Sequence, residues 1–138
     1  MQNKRILIVD DEPYNILGLK ILLPQASNVS ILDNIDVASN GQDAVNKVLA
    51  AYNMGEFSYG LIFMDCNMPI MDGFEATDYI RNFITSRDFQ QPKIIACTGH
   101  TDEEYMEKAW CHSMDEFLMK PTNIDVLQSI IKEMVEFI

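Results

Sequence analysis

Residues 61–69, Leu61-Ile62-Phe63-Met64-Asp65-Cys66-Asn67-Met68-Pro69, decide how the rest of the chain is interpreted. Four apolar residues lead directly to Asp65, and polar residues and a proline follow it. This pattern is typical of a buried parallel strand that ends in a loop. In an open parallel sheet, reactive groups collect beyond the carboxyl ends of the strands, near the point where the strand order reverses. Asp65 is therefore the candidate reactive group.

Apolar runs and amphipathic segments alternate along the whole chain. Strands are predicted at 5–9, 35–38, 61–65, 93–97 and 116–119, and a helical pattern follows each of them. Strict alternation of this kind implies a parallel sheet with helices on both faces. The 138 residues show no repeat and no internal linker, so residues 1–138 are predicted to form one doubly wound α/β domain.

Several residues predict where the regular elements begin and end. Pro13 fits the first turn of the first helix, and Pro24 is expected to end it. The segment from Gly55 to Gly60 is predicted to be a loop before the central strand. Thr122 resembles the first residue of a capping box, with Asp125 three positions later, and would begin the last helix.

Composition excludes several classes of function. The net charge is −11 and there is no cluster of Lys or Arg, which argues against a nucleic-acid-binding surface. No apolar run approaches the length of a membrane span, and the first residues lead directly to a strand rather than to a signal peptide. The three cysteines are widely separated and form no CxxC motif, so neither a disulfide framework nor a zinc site is indicated. A reducing, cytoplasmic location is the expectation.

Charged and polar residues end four of the predicted strands. Asp10 and Asp11 follow the first strand, Asp65 the third, Thr98 the fourth and Lys120 the fifth. Close carboxylates repel each other by about 4 kcal/mol per pair at an effective dielectric near 20, so such a cluster suits a divalent cation. Because the ligands are all oxygens, Mg²⁺ is the natural candidate. A lysine beside carboxylate-bound Mg²⁺ is the arrangement used in phosphoryl transfer.

These motifs together resemble the receiver domains of two-component response regulators, above all those of hybrid histidine kinases. The matching segments are Ile8 to Pro13, Met64 to Thr77, Thr98, and Phe117 to Pro121, and the resemblance covers essentially the whole chain. It implies a flavodoxin-like (βα)5 fold with strand order 2-1-3-4-5. It also implies a phosphorylation-controlled switch that is not an enzyme beyond moving its own phosphoryl group, with a histidine kinase or a histidine phosphotransfer domain as its partner.

The resemblance assigns roles to the residues at the strand ends. Asp65 is implied to accept a phosphoryl group from a histidine of the partner. Asp11 and Asp65 would bind Mg²⁺ directly, together with the backbone carbonyl of Asn67, whereas Asp10 would act mostly through a water. Lys120 would pair with the phosphoryl oxygens, and its peptide bond to the following proline is expected to be cis.

Other residues are implied to switch or tune the domain. Thr98 would move its hydroxyl onto the phosphoryl group, and Phe117 would turn inward behind it. Asn67 and His100 would flank the path of the hydrolytic water and tune the rate of dephosphorylation. The fourth helix, fifth strand and fifth helix would form the face that the partner reads, with Trp110 as its large apolar residue.

Three rival functions and two departures from the family bear on this interpretation. A phosphatase of the haloacid dehalogenase type would require Asp-x-Asp, whereas this chain has Asn67 in the third position. A pseudo-receiver, which is never phosphorylated, predicts the loss of an acid or of the lysine, and none is lost. A flavin carrier fits less well because no phosphate-binding loop follows the first strand. Ser113 replaces a common glycine, and Phe117 lacks the hydroxyl often found at its position.

Overall fold

The computed structural model describes residues 3–26, 34–99 and 103–135, which form five strands alternating with five helices. All strand pairs are parallel, and the strand order is 2-1-3-4-5, as predicted. Among these helices none combines the length and apolar character needed to cross a bilayer. The elements in chain order are β1 Asn3–Val9, α1 Pro13–Ala26, β2 Ile35–Ala38, α2 Gly41–Met54, β3 Phe57–Asp65, α3 Gly73–Ser86, β4 Lys93–Thr98, α4 Glu103–Cys111, β5 Glu116–Met119 and α5 Ile124–Val135.

Two apolar layers bury the sheet, one on each face. Alternate residues of the central strands face opposite layers, so Ile62 and Met64 join one layer while Leu61 and Phe63 join the other. Helices α2, α3 and α4 cover the first layer, and α1 and α5 cover the second. A strand buried on both faces requires a continuous apolar run, which is what the stretch before Asp65 supplies.

The central strand is longer than predicted. It begins at Phe57, although Gly55 to Gly60 was predicted to be a loop. Gly60 is the extra residue of a β-bulge, because the pairing with β1 steps from Arg5–Tyr59 to Ile6–Leu61. An isolated glycine within a strand is typical of such a bulge, and here it was mistaken for a loop signal.

Two predicted helix ends also differ from the structure. Pro24 does not end α1, which continues to Ala26. A proline near the end of a helix is tolerated because it removes only one backbone hydrogen bond. Thr122 does not cap α5. The side-chain oxygen of Asn123 accepts the hydrogen bond from the Val126 N–H at 3.0 Å instead, and the Thr122 hydroxyl is buried.

Two glycines let the helices on one face approach the loops at the carboxyl edge of the sheet. A Cβ on Gly73 would lie 2.1 Å from the carbonyl oxygen of Asp65, and one on Gly41 would lie 2.4 Å from that of Met71. Asp72 caps α3 by accepting a hydrogen bond from the Glu75 N–H at 2.9 Å. Helix α3 therefore begins directly against the residue that ends β3.

The loop between α4 and β5 contains a backbone conformation that serine adopts at a cost. Ser113 has φ of 63°, and its carbonyl oxygen accepts two hydrogen bonds from Arg81. We expect Ser113→Gly to raise the free energy of unfolding by about 0.5–1 kcal/mol, because glycine occupies this region without a Cβ penalty. Urea denaturation measures the change, and Ser113→Ala, which keeps the penalty, is the control. A loss of stability in Ser113→Gly would contradict the strain argument.

Candidate functional site

The residues predicted to gather at the carboxyl ends of the strands do so. Asp10 directly follows β1, while Asp65 and Thr98 end β3 and β4. All three are buried, with 4%, 5% and 1% of their surfaces exposed. Asp11 is exposed beside them. One carboxylate oxygen from each of Asp10, Asp11 and Asp65 lies within 4.8 Å of the others. The parallel topology thus brings together acids that are far apart in sequence.

Lys120 joins the two buried acids. Its Nζ atom donates to Oδ2 of Asp10 at 2.7 Å and lies 3.0 Å from Oδ1 of Asp65. Burial lowers the pKa of Lys120, but the hydrogen bonds and charges of the two carboxylates outweigh it, so the pKa is raised. The ammonium is therefore charged at neutral pH, and one positive charge faces two buried negative ones. The peptide bond to Pro121 is cis, as the resemblance implied.

The charge balance leaves Asp65 with an unusual affinity for protons. Burial, and next the nearby charge of Asp10, raise its pKa to about 6, although Lys120 and the N–H of Asn67 oppose the shift. A carboxylate with a raised pKa and a lysine at hydrogen-bond distance is typical of a functional group rather than of a structural ion pair. More positive charge at this edge of the sheet would keep Asp65 ionised.

Asp10 and Asp11 differ in how their oxygens are used. Oδ1 of Asp10 accepts a hydrogen bond from the N–H of Glu12 at 2.9 Å and lies 3.5 Å from the side-chain nitrogen of Asn15, while Oδ2 accepts from Lys120. No such partner of the Asp11 carboxylate is found within the described part of the chain. Asp11 therefore has lone pairs available for a cation, whereas those of Asp10 are largely engaged.

Two backbone hydrogen bonds fix the loop after Asp65, one to the neighbouring strand β4 and one within the loop. The N–H of Cys66 donates to the carbonyl of Cys97 at 3.0 Å, which extends the β3–β4 pairing past the acid. Ile70 has φ of 74°, and the N–H of Met71 donates to the carbonyl of Pro69 at 2.8 Å, which closes a γ-turn. A positive φ is rare for a β-branched residue, and such strain is concentrated at functional loops.

Sequence reasoning missed two polar neighbours of the site. Asn15 of α1 lies next to Asp10, and the hydroxyl of Tyr105 on α4 donates to Oδ1 of Asn67 at 3.2 Å. The contact of Tyr105 with Asn67 has no signal in the sequence, because it joins elements 38 residues apart whose approach depends on the tertiary structure. Asn15 is only five residues from Asp10, and its contact depends on the local turn into α1.

The residues predicted to switch or tune the domain occupy different surroundings. Thr98 is buried at the end of β4 beside Met119 of β5. Phe117 is partly buried against the layer formed by α2, α3 and α4. Asn67 is exposed at the edge of the site. His100 lies outside the residues that the structure describes.

Comparison with known proteins identifies the family. The model of the response regulator receiver domain matches residues 6–132. The osmosensing histidine protein kinase SLN1 of Saccharomyces cerevisiae is 33% identical over 129 residues, which cover 94% of this chain but only 10% of that protein. The chain thus spans about a tenth of the length of this relative.

Two solved receiver domains are similar over nearly the whole chain. The receiver domain of the histidine kinase CKI1 from Arabidopsis thaliana, complexed with Mg²⁺, is 29% identical with a TM-score of 0.74, covering 96% of this chain and 92% of that one. The receiver domain of the Saccharomyces cerevisiae response regulator Ssk1, crystallised with the histidine phosphotransfer protein Ypd1, is 29% identical with a TM-score of 0.76, covering 96% and 88%. The chain therefore belongs to the receiver domains of two-component signalling.

Proposed function

We propose that this domain is a phosphoacceptor in which Asp65 takes a phosphoryl group from a phosphohistidine. The observation that carries the proposal is the buried Asp65 carboxylate, 3.0 Å from the Lys120 ammonium and beside two further acids. A carboxylate oxygen of Asp65 bonds to phosphorus while the phosphorus–nitrogen bond of the donor breaks, and the released imidazole takes up a proton. The domain moves only its own phosphoryl group and is not an enzyme toward other substrates.

The acidic cluster fits a divalent cation. Its ligand atoms are all oxygens, which suits Mg²⁺, and the cluster carries more negative than positive charge. Asp11, Asp65 and the backbone carbonyl of Asn67 are the proposed direct ligands, and Asp10 acts through a water. When bound, Mg²⁺ supplies positive charge that offsets the charge on the phosphoryl oxygens. Lys120 approaches those oxygens from the side of β5.

Helix α1 supplies a surface for the phosphohistidine partner. Tyr14, Leu17 and Ile21 are exposed at the spacing that places side chains on one face of a helix, and Tyr14 is only three residues from Asp11. Exposed apolar clusters of this kind mark contact sites on soluble domains. We propose that a histidine kinase or a histidine phosphotransfer domain docks here, as part of a phosphorelay. The three free thiols favour a reducing, cytoplasmic setting.

A second surface is proposed to report phosphorylation. Met106 and Trp110 are exposed on α4, with Met119 of β5 and Val126 of α5 also exposed. The phosphoryl group draws the Thr98 hydroxyl inward, Phe117 occupies the vacated space, and α4 shifts. The hydrogen bond from Tyr105 to Asn67 supports this coupling, because it ties α4 to the loop that follows Asp65.

The phosphoacceptor proposal predicts that Asp65→Asn abolishes labelling. With Mg²⁺ and radiolabelled acetyl phosphate, the unaltered chain should incorporate phosphate and Asp65→Asn should stay at background, because the amide is not a nucleophile. Asp88→Asn is the control, since Asp88 is an exposed loop acid whose left-handed backbone asparagine tolerates. Equal labelling of Asp65→Asn and the unaltered chain would refute the assignment. Absence of label in the unaltered chain would favour a pseudo-receiver.

Magnesium affinity should depend more on Asp11 than on Asp10. Asp10 already accepts hydrogen bonds from Lys120 and from the Glu12 N–H, so it contacts the ion only through a water. Asp10→Asn should therefore weaken Mg²⁺ binding by about 10–100-fold, as expected for a residue that is not a direct ligand. Asp11→Asn should weaken it further because a direct ligand is lost. Calorimetric titration measures both, and Glu12→Gln, an adjacent exposed acid outside the cluster, is the control. A larger loss in Asp10→Asn would reverse the ranking.

The raised pKa of Asp65 predicts how the stability of the metal-free domain varies with pH. The pKa is about 6 in the folded chain against an ordinary value of 3.8, so the folded state holds more protons between these values. Stability should therefore fall as pH rises from about 4 to about 6. Without Mg²⁺, Asp65→Asn should raise the free energy of unfolding by about 1–3 kcal/mol at pH 7, and the gain should vanish near pH 4.

Chemical denaturation at both pH values, with chelator present, tests this prediction. Saturating Mg²⁺ should stabilise the unaltered chain more than Asp65→Asn, because only the former keeps the carboxylate. If Asp65→Asn is less stable than the unaltered chain at pH 7, the ionised Asp65 stabilises the fold, which contradicts the charge argument.

A further inference from the structure

A hydrogen bond from helix α4 holds the side-chain carbonyl of Asn67. The hydroxyl of Tyr105 donates to Oδ1 of Asn67 at 3.2 Å, although 38 residues separate the two in sequence. Asn67 follows Asp65 by two positions, and its backbone N–H donates to Oδ1 of Asp65 at 3.4 Å. A single hydrogen bond therefore joins Tyr105 to a residue that contacts the proposed phosphoacceptor.

Phe74 fixes the position of Tyr105. It is buried at the second position of α3, the helix that begins directly against Asp65. The ring of Tyr105 packs on the ring of Phe74, with centroids 6.2 Å apart. Lys108 and His112, one and two turns further along the chain, contact the same ring. The packing of α4 on α3 thus places the Tyr105 hydroxyl beside the loop that follows Asp65.

Asn67 lies on the side of the site that faces solvent. Asp65 is only 5% exposed, whereas Asn67 and Asp11 are exposed next to it. A water that attacks a phosphoryl group on Asp65 arrives from the side on which these two residues lie. Because Asp11 is a proposed ligand of the cation, Asn67 is the residue of this pair whose side chain is left to interact with the water.

The direction of the Asn67 amide decides what it can do to that water. In hydrolysis the water oxygen bonds to phosphorus, the bond from phosphorus to Asp65 breaks and restores the carboxylate, and a proton of the water passes to solvent. A carbonyl oxygen that accepts a hydrogen bond from the water would orient this attack. The carbonyl of Asn67 is turned to Tyr105, so the amide offers its NH₂ group elsewhere, and that group only donates hydrogen bonds.

We propose that Tyr105 is a positioning residue that slows dephosphorylation, because its hydroxyl holds the Asn67 carbonyl away from the attacking water. The inference rests on the proposed function of Asp65 as the phosphoacceptor. It adds a residue of α4 that sets how long the phosphoryl group remains on the domain.

Tyr105→Phe removes the hydroxyl and keeps the aromatic ring that packs on Phe74. Each chain is labelled with radioactive acetyl phosphate and Mg²⁺, the donor is removed, and the loss of label is followed over time. Tyr105→Phe should lose label about three- to tenfold faster than the unaltered chain, as expected when one hydrogen bond is removed. Tyr79→Phe is the matched control, because it removes the same hydroxyl from an exposed position of α3.

A double-mutant cycle with Asn67→Ala separates positioning from a structural effect. The alanine keeps the backbone carbonyl that is proposed to bind Mg²⁺ and removes only the side-chain amide. In this background Tyr105→Phe should leave the rate of label loss unchanged, because the hydroxyl acts through Asn67. Without a phosphodonor, Tyr105→Phe should also shift the ¹⁵N signal of the Asn67 side-chain amide, and Tyr79→Phe should not.

The possible outcomes distinguish this inference from the proposal on which it rests. If the chains are labelled normally, a rate of label loss that is unchanged or slower in Tyr105→Phe would overturn the inference alone. An acceleration that persists in the Asn67→Ala background would overturn it as well. Absence of label from the unaltered chain would overturn the phosphoacceptor proposal, and the inference with it.

Discussion

The contact of Lys120 with both Asp10 and Asp65 is the interaction on which the rest of the structure depends. Two buried carboxylates at the ends of adjacent strands repel each other. The lysine that follows β5 offsets them with its charge, and the N–H groups of Glu12 and Asn67 donate hydrogen bonds to them. The strand order places β1 and β3 side by side with β5 beyond β4, so a long side chain is needed to reach both acids. One positive charge does not balance two negative ones, so the pKa of Asp65 stays raised and the cluster is suited to accept a cation.

This electrostatic arrangement requires a rigid frame. Gly73 lets α3 begin in contact with the carbonyl of Asp65, and the hydrogen bond from Cys66 to Cys97 carries the sheet past the acid. The γ-turn at Ile70 adds strain in the same loop, and strain of that kind persists only where surrounding contacts enforce it. The burial that raises the pKa of Asp65 thus comes from the same packing that fixes its position.

The sequence was sufficient to predict the topology and the acidic cluster, because strict alternation forces a parallel sheet and such a sheet gathers its strand ends at one edge. Predictions were wrong where one residue type has two structural uses. Gly60 forms a bulge rather than a loop, and Pro24 lies inside a helix rather than after it. Contacts such as Tyr105 with Asn67 could not be predicted, since they depend on how α4 packs rather than on any local pattern.

Asp10 and Lys120 belong to the acidic cluster and also line a cavity of about 310 Å³ between α1 and the sheet. Movement of either residue changes the charge that Asp65 experiences, and therefore its affinity for protons and cations. Such coupling is reciprocal, so a cation bound at the cluster changes the free energy of those movements by the same amount.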